Sequence, residues 1–171
     1  MCIEIVSSSK FNYLVKVKFN NILDGFNKYK YIELQSEKNN KKLIEKDFIK
    51  AIEEFYEISK GHLIIDFYKE RLDENSISFI KENIDKEDII YFEKLLSIAK
   101  ENENFYYVNN KEILRLLIKL CTRELYFVTF YFYSHDVTLW GNYNLKFPLF
   151  YDNDIEITKY ISISQNNKIY K

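Results

Sequence analysis

The chain has 171 residues and a formal net charge of −1, so its overall charge gives no attraction to nucleic acid or to an anionic membrane. Its two cysteines, Cys2 and Cys121, lie far apart, which excludes a disulfide framework and a cysteine-rich metal site. Its three glycines, Gly25, Gly61 and Gly141, are isolated, which excludes a glycine-rich phosphate loop.

Two further features of the composition concern the source and the compartment. Residues with A/T-rich codons dominate, including 15 Tyr and 14 Phe, and this bias indicates a bacterium or phage with a low-GC genome. The longest apolar run, residues 125–133, is about half as long as the ~20 residues that a membrane helix needs. The first residues also lack an apolar signal segment. We therefore expect a cytoplasmic protein without a membrane partner.

The N-terminal part of the chain has a strand-like pattern. Residues 11–19 alternate between apolar and polar side chains, which is typical of a half-buried strand. Residues 28–35 alternate more weakly, and the two runs are predicted to pair as an antiparallel hairpin. Residues 2–6 are predicted to add a short strand, and the polar residues 36–42 are predicted to form a loop.

The middle of the chain has helix-like patterns. The helix that ends near Gly61 is followed by a β-prone run at residues 62–68, which is predicted as a strand. A later helix, residues 111–123, is apolar around most of its circumference and is expected to be largely buried. The predicted N-caps of the helices are Asp47, Asn75 or Ser76, Asp85 in a capping box with Asp88, and Asn110.

Residues 124–151 give the strongest signal for a sheet. Two aromatic-rich apolar runs flank a polar turn at residues 134–136, a pattern that predicts a β-hairpin. Both faces of the first run are apolar, so its strand is placed in the interior of the sheet. Pro148 predicts a sheet edge, and the alternation over residues 155–163 predicts a final strand.

These elements together favour an α+β fold. Strands cluster towards both ends of the chain and helices lie between them, without a linker or an internal repeat. We expect a single domain over residues 1–171, in which an antiparallel or mixed sheet of N- and C-terminal strands carries about three helices.

Candidate catalytic and metal-binding groups are few. His62 lies four residues before Asp66 on one strand face, as a base and its orienting acid would, but no nucleophile accompanies them. Asp152, Asp154 and Glu156 alternate along the chain, but a hard-cation site needs about six oxygen ligands. We expect no catalytic residue, no metal and no cofactor, and we favour a protein that is not an enzyme.

The first candidate for partner binding is the cationic stripe, defined as Lys111, Arg115, Lys119 and Arg123, which recur at every fourth residue. Like charges at this spacing destabilise a helix by about 0.2–0.5 kcal/mol per pair. The stripe is therefore predicted to bind an acidic protein surface or phosphates, and Arg115 and Arg123 are expected to matter more for binding than for stability. The alternative is an ordinary solvated helix face.

The second candidate for partner binding is Trp140 with Tyr143, at the end of the predicted hairpin. Trp and Tyr are common anchors of protein interfaces, and Gly141 between them suggests a bulge or a close approach of the backbone. The alternative is that both rings pack in the core.

These observations favour a non-enzymatic protein-binding module. Small proteins of low-GC bacteria or phages that have no recognisable motif are often immunity proteins, inhibitors or anti-defence factors. This inference rests on an association with size and source and not on the chemistry of particular residues. The alternatives are a nucleic-acid-associated protein that uses the cationic stripe and an enzyme of unrecognised type. The expected partner is a protein, with a nucleic acid or a second copy of the chain as alternatives.

Overall fold

Seven β-strands form the sheet on which the other elements pack. The computed structural model describes residues 3–170. Within that range the strands are β1 (Ile3–Val6), β2 (Lys30–Leu34), β3 (Leu63–Asp66), β4 (Phe105–Val108), β5 (Thr129–Phe132), β6 (Val137–Trp140) and β7 (Phe147–Tyr151). Their order is β1-β4-β3-β5-β6-β7-β2, and every neighbouring pair is antiparallel. The sheet therefore has β1 and β2 at its two edges.

Seven α-helices accompany this sheet in the described part of the chain, so the predicted α+β class is confirmed, with more helices than expected. They are α1 (Ser8–Leu14), α2 (Ile22–Lys28), α3 (Lys41–Ile58), α4 (Glu74–Asn83), α5 (Ile89–Ile98), α6 (Lys111–Thr122) and α7 (Ile157–Asn166). None of these helices has the length and apolarity that crossing a membrane would require.

The main core lies on the face of the sheet that α3, α6 and α7 cover, which we call the helical face. Leu63 and Ile65 of β3 point into it, whereas Ile64 points to the opposite face. From α3, the ring of Phe55 packs edge-on against Phe132 of β5, with centroids 5.9 Å apart. The period-two alternation of the strands thus divides their apolar residues between two layers.

The central strand β5 is buried on both faces, as its two-sided apolar pattern predicts. Phe130 and Phe132 are fully buried on the helical face, and Tyr131 is buried on the other. Val128, just before the strand, is also buried, whereas Phe127 is only half-buried. The predicted hairpin is confirmed, because β5 pairs with β6 along four residues of each strand.

The opposite face, which we call the aromatic face, carries Phe105, Tyr131 and Phe150 and is covered by α1, α2 and the segment between them. Phe11 of α1 stacks on Phe105 with ring centroids 3.6 Å apart and meets Tyr131 edge-on at 5.0 Å. Phe26 of α2 packs on Phe150 at 5.2 Å. Two short helices therefore hold this layer in place through aromatic contacts.

The predicted strand over residues 11–19 is wrong, because this segment contains most of α1. The side chain of Ser7 accepts a hydrogen bond from the Lys10 backbone and begins the helix. Phe11 and Val15 are buried and four residues apart, which suits a helix lying on the sheet. Only the short extended stretch after Val15 has the expected backbone. Consequently β2 pairs with β7 and not with this segment.

The predicted final strand over residues 155–163 is also wrong, because α7 occupies most of it. The buried residues of α7 are Ile157, Tyr160 and Ser164, whose spacing of three and four residues is helical. Ile155, which the strand pattern required on the apolar face, is exposed. The alternation of isoleucines in residues 155–163 is thus a coincidence and does not indicate a strand.

Pro148 does not mark a sheet edge, contrary to the prediction. It lies in β7, between β6 and β2. The ladder between β7 and β6 ends at the pair Leu149–Leu139, so Pro148 is paired only with Glu33 of β2. β7 tolerates this proline in the interior of the sheet because Pro148 lies beyond the end of the ladder with β6.

The residues at which helices begin were predicted less accurately than the presence of the helices. The caps are Asn40 for α3 and Asp73 for α4, and neither was predicted, whereas the predicted cap Asn110 of α6 is confirmed. Asp85 and Asp88 make no capping hydrogen bond and instead form ion pairs. The predicted strands within residues 2–6, 28–35 and 62–68 are confirmed as β1, β2 and β3, although Cys2 lies outside the described residues.

We expect Phe130→Ala to lower the free energy of unfolding by about 3–5 kcal/mol, because it removes a large ring from the packed core. Phe79→Ala is the matched control, since Phe79 is exposed on α4 and its loss should change stability by about 0.5 kcal/mol or less. Urea denaturation of both variants measures the difference. Similar losses in the two variants would contradict the interior position of β5.

Candidate functional site

All four cations of the cationic stripe form ion pairs within the chain. Lys111 Nζ lies 2.6 Å from a carboxylate oxygen of Glu57, and Arg115 donates to Glu53. The partners of Lys111, Arg115 and Arg123 follow α3 in reverse order, so the two helices pack antiparallel with facing charges. The stripe therefore joins α6 to its neighbours.

Arg123 has the most extensive of these contacts. Its Nε and Nη2 donate to the two carboxylate oxygens of Glu45 at 2.8 and 2.9 Å, which is the bidentate geometry that suits a guanidinium. Its Nη1 and Nη2 also donate to Asp85, at 3.1 and 3.0 Å. The hydrogen bond from Arg123, followed by that from Lys119, lowers the pKa of Asp85 to about 2.

Lys119 completes this network from a more buried position. Its Nζ donates to Asp85 at 2.8 Å and to the buried Asp88 at 2.6 Å. A buried carboxylate needs such a partner because the loss of its hydration is costly. Binding of a partner by the stripe stays a prediction, and the ion pairs give its cations a structural role without one.

Trp140 and Tyr143 occupy different environments. Trp140 is half-buried at the end of β6 on the aromatic face, whereas Tyr143 is 60% exposed and packs edge-on against Phe127 at 4.5 Å. Gly141 between them is needed for close packing, since a Cβ there would lie 2.7 Å from Cys121 Sγ. Their use as interface anchors stays a prediction.

His62 and Asp66 share the aromatic face of β3, but no hydrogen bond joins them among the described residues. Asp66 accepts hydrogen bonds from the backbone N–H and the hydroxyl of Thr129, at 2.6 and 3.0 Å. The ring of His62 packs near Tyr133 at 5.3 Å. Burial raises the pKa of Asp66 to about 6, and the hydrogen bonds from Thr129 offset part of this rise.

Two of the three acids after the hairpin form ion pairs. Asp154 lies 2.6 Å from Lys30 Nζ, and Glu156 lies 3.3 Å from Lys159 Nζ. Across residues 3–170, no group of three or more His, Cys, Asp or Glu side chains is arranged to hold a metal ion.

An exposed apolar surface that the sequence interpretation missed lies beside the edge strand β2. We call Leu23, Phe26 and Tyr31 the apolar edge patch, and they are 68%, 37% and 48% exposed. The rings of Phe26 and Tyr31 are 4.8 Å apart. Because residues 11–19 and 28–35 were predicted to pair as a hairpin, the helix between them that brings Leu23 and Phe26 to this edge was not predicted.

A cleft of about 900 Å³ opens on the aromatic face between α1 and α2. Its floor consists of Tyr68, Phe105 and Tyr131, and its walls carry two lysines, Lys18 and Lys28, among polar side chains. This cleft also depends on α2 and was not predicted.

We expect Arg123→Met to destabilise the fold by about 1–3 kcal/mol, because Glu45 and Asp85 would lose their strongest partner. Lys111→Met is the matched control, since its pair with Glu57 is solvent-exposed on both sides and should contribute about 0.5 kcal/mol or less. Urea denaturation at neutral pH measures both changes. Equally small effects would identify the stripe as an ordinary solvated face.

We expect Asp66→Asn to stabilise the fold above neutral pH. The folded protein holds the Asp66 proton up to about pH 6, whereas the ordinary pKa of a free aspartate side chain is 3.8. The wild type therefore loses stability as pH rises from about 4 to 6, and the asparagine variant should avoid this loss of about 1–3 kcal/mol. Denaturation as a function of pH tests this, with the exposed Asp154→Asn as control. A variant with the same slope as the wild type would contradict the shifted pKa.

The chain matches no protein-family model, and it matches no curated protein and no solved structure.

Proposed function

We propose that this chain is a non-enzymatic protein-binding module that adds an extended segment of another protein to the free edge of β2. The observation that carries the proposal is the apolar edge patch, which lies directly beside this edge. An immunity, inhibitor or anti-defence role in the cytoplasm of a bacterium is the kind of role that such a module would serve, by association with its size and composition.

The edge of β2 lacks the usual protection against strand addition. It pairs with β7 over five residues, and no strand within residues 3–170 pairs with its other side. Natural edge strands are commonly protected by proline, a bulge or free charges. β2 contains no proline, and its charged residues Lys30 and Glu33 form exposed ion pairs with Asp154 and Lys146. Their charges are thus less able to repel an incoming strand.

The apolar edge patch supplies the side-chain contacts that strand addition needs. Backbone hydrogen bonds give affinity in this binding mode, and pockets for alternate side chains give specificity. Phe26 and Tyr31 also contact Phe150 beneath them, so the rings are held in place before a partner arrives. Such pre-organised aromatic rings are typical anchors of an interface.

A different protein fits this edge better than a second copy does. If two copies of β2 paired antiparallel about Ile32, Glu33 of one copy would face Tyr31 of the other on the patch side. A carboxylate would then be set against the patch. An extended segment with apolar residues at alternate positions avoids this mismatch. The nucleic-acid alternative has less support, because the cations of the stripe already have carboxylate partners.

The test compares Leu23→Asp plus Tyr31→Asp with the matched control Phe79→Asp plus Ile90→Asp. The control residues are 57% and 66% exposed and lie on α4 and α5. We expect a partner captured from the host by the wild type to bind the first variant at least about tenfold more weakly, measured by calorimetry with the purified partner. Binding by the control should be unchanged, and both variants should keep the wild-type thermal midpoint.

Three outcomes would contradict the proposal. Equal binding by the wild type and the first variant would exclude the apolar edge patch. Loss of binding in the control alone would assign the interface to the surface of α4 and α5. Self-association of the wild type in sedimentation, abolished by the first variant, would assign the edge of β2 to a second copy of the chain.

A further inference from the structure

We propose that the cleft between α1 and α2 binds a mononucleotide, with the phosphate at Lys18 and Lys28 and the base on the aromatic floor. The volume of about 900 Å³ lies within the range that small-molecule sites have. This site is separate from the proposed protein-binding edge, because it lies over the sheet and not beside β2.

The first argument is the state of the two lysines. Lys18 Nζ donates to the backbone carbonyls of Asn12 and Val15, at 2.7 and 2.8 Å. Within residues 3–170, neither Lys18 nor Lys28 has a carboxylate at ion-pair distance, in contrast to the four paired cations of the stripe. Carbonyl dipoles hold the Lys18 ammonium in position but do not neutralise its charge.

The electrostatic environment of Lys18 supports this argument. Burial lowers its pKa, and the nearby charges of Lys16 and Lys28 lower it further. An anion bound between the lysines would relieve the repulsion between them. Lysine is a common ligand of phosphate groups, to which it presents a compact positive charge.

The second argument is the floor of the cleft. Tyr68 and Phe105 are half-buried and present part of their rings to it, whereas Tyr131 is buried and Phe11 stacks on one face of Phe105. Bases stack on aromatic side chains with a gain of about 1–3 kcal/mol per base. A bare inorganic anion would leave this surface unused, and an apolar ligand would leave the lysines unused.

The third argument is the polar rim, which has both donors and acceptors of hydrogen bonds. Side-chain amides and hydroxyls can bind the ribose hydroxyls and the edge of a base. Asp24, the one acidic residue of the lining, already accepts a hydrogen bond from Asn21 at 2.7 Å. The polar residues without charge that line the cleft are Ser8, Asn12, Asn20 and Asn27.

The test is calorimetric titration with AMP, GMP, CMP and UMP, with the corresponding nucleosides and inorganic phosphate as reference probes. We expect at least one mononucleotide to bind at least about tenfold more tightly than its nucleoside and than phosphate. Lys18→Gln plus Lys28→Gln should weaken this binding by about tenfold or more. Lys50→Gln plus Lys60→Gln is the matched control, since it removes the same charge from exposed positions around the end of α3.

A second measurement locates the ligand without any substitution. Amide chemical shifts in NMR spectra should change at Tyr68, Phe105 and Tyr131 during the titration. No binding of any of the four mononucleotides at millimolar concentration would overturn the proposal. Phosphate that binds as tightly as the nucleotides would reduce the cleft to a simple anion site, and shift changes confined to other surfaces would exclude the cleft.

Discussion

Tyr131 and Phe132 are neighbours in β5 and point to opposite faces of the sheet, yet both are buried. A strand that is apolar on both sides requires a layer on each face of the sheet. The helical face is covered by long amphipathic helices, α3 and α6 among them. The aromatic face is covered by α1 and α2, which have seven residues each. The second layer is therefore incomplete, and both candidate sites lie where it ends.

The helical layer is held by charge as well as by apolar packing. α6 is apolar around most of its circumference, and its one polar stripe meets the acids of α3 and of the turn before α5. The ion pairs offset the repulsion that cations four residues apart would otherwise cause. These ion pairs use the cations that are most conspicuous in the sequence. The surfaces that still have groups available to bind a partner give no comparable signal in the sequence.

This arrangement explains which parts of the structure could be predicted. The hairpin of β5 and β6 and the buried helix α6 follow from local patterns, and both are confirmed. The segments of α1 and α7 were predicted as strands because their apolar residues fit a period of two. Phe11, Val15 and Val17 do so, as do the isoleucines of residues 155–163. The same residues fit the backbone of the structure equally well. Only packing against the sheet distinguishes the alternatives.

The functional surfaces were harder to predict for a related reason. The spacing of Glu45, Glu53 and Glu57 on α3 matches that of the cationic stripe in reverse and was visible in the sequence. However, facing helices cannot be identified without the tertiary arrangement. The same holds for Lys18 and Lys28, whose proximity depends on how α2 lies on the sheet.

Both proposed sites depend on the position of α2. Its Asp24, Asn27 and Lys28 line the cleft, whereas its Leu23 and Phe26 belong to the apolar edge patch. Aromatic contacts fix the helix on β7, and a Cβ at its buried Gly25 would come within 2.9 Å of the Phe19 ring.

The segment before α2 is anchored as well, because the Thr138 hydroxyl donates to the Val17 carbonyl at 2.6 Å. α2 is too short to be stable in isolation, since isolated helices shorter than about 12–15 residues are marginal in water. Its geometry must therefore come from Phe26, Gly25 and this anchor. A short helix held in this way presents different side chains to the cleft and to the edge of the sheet, so one small element contributes to both proposed sites.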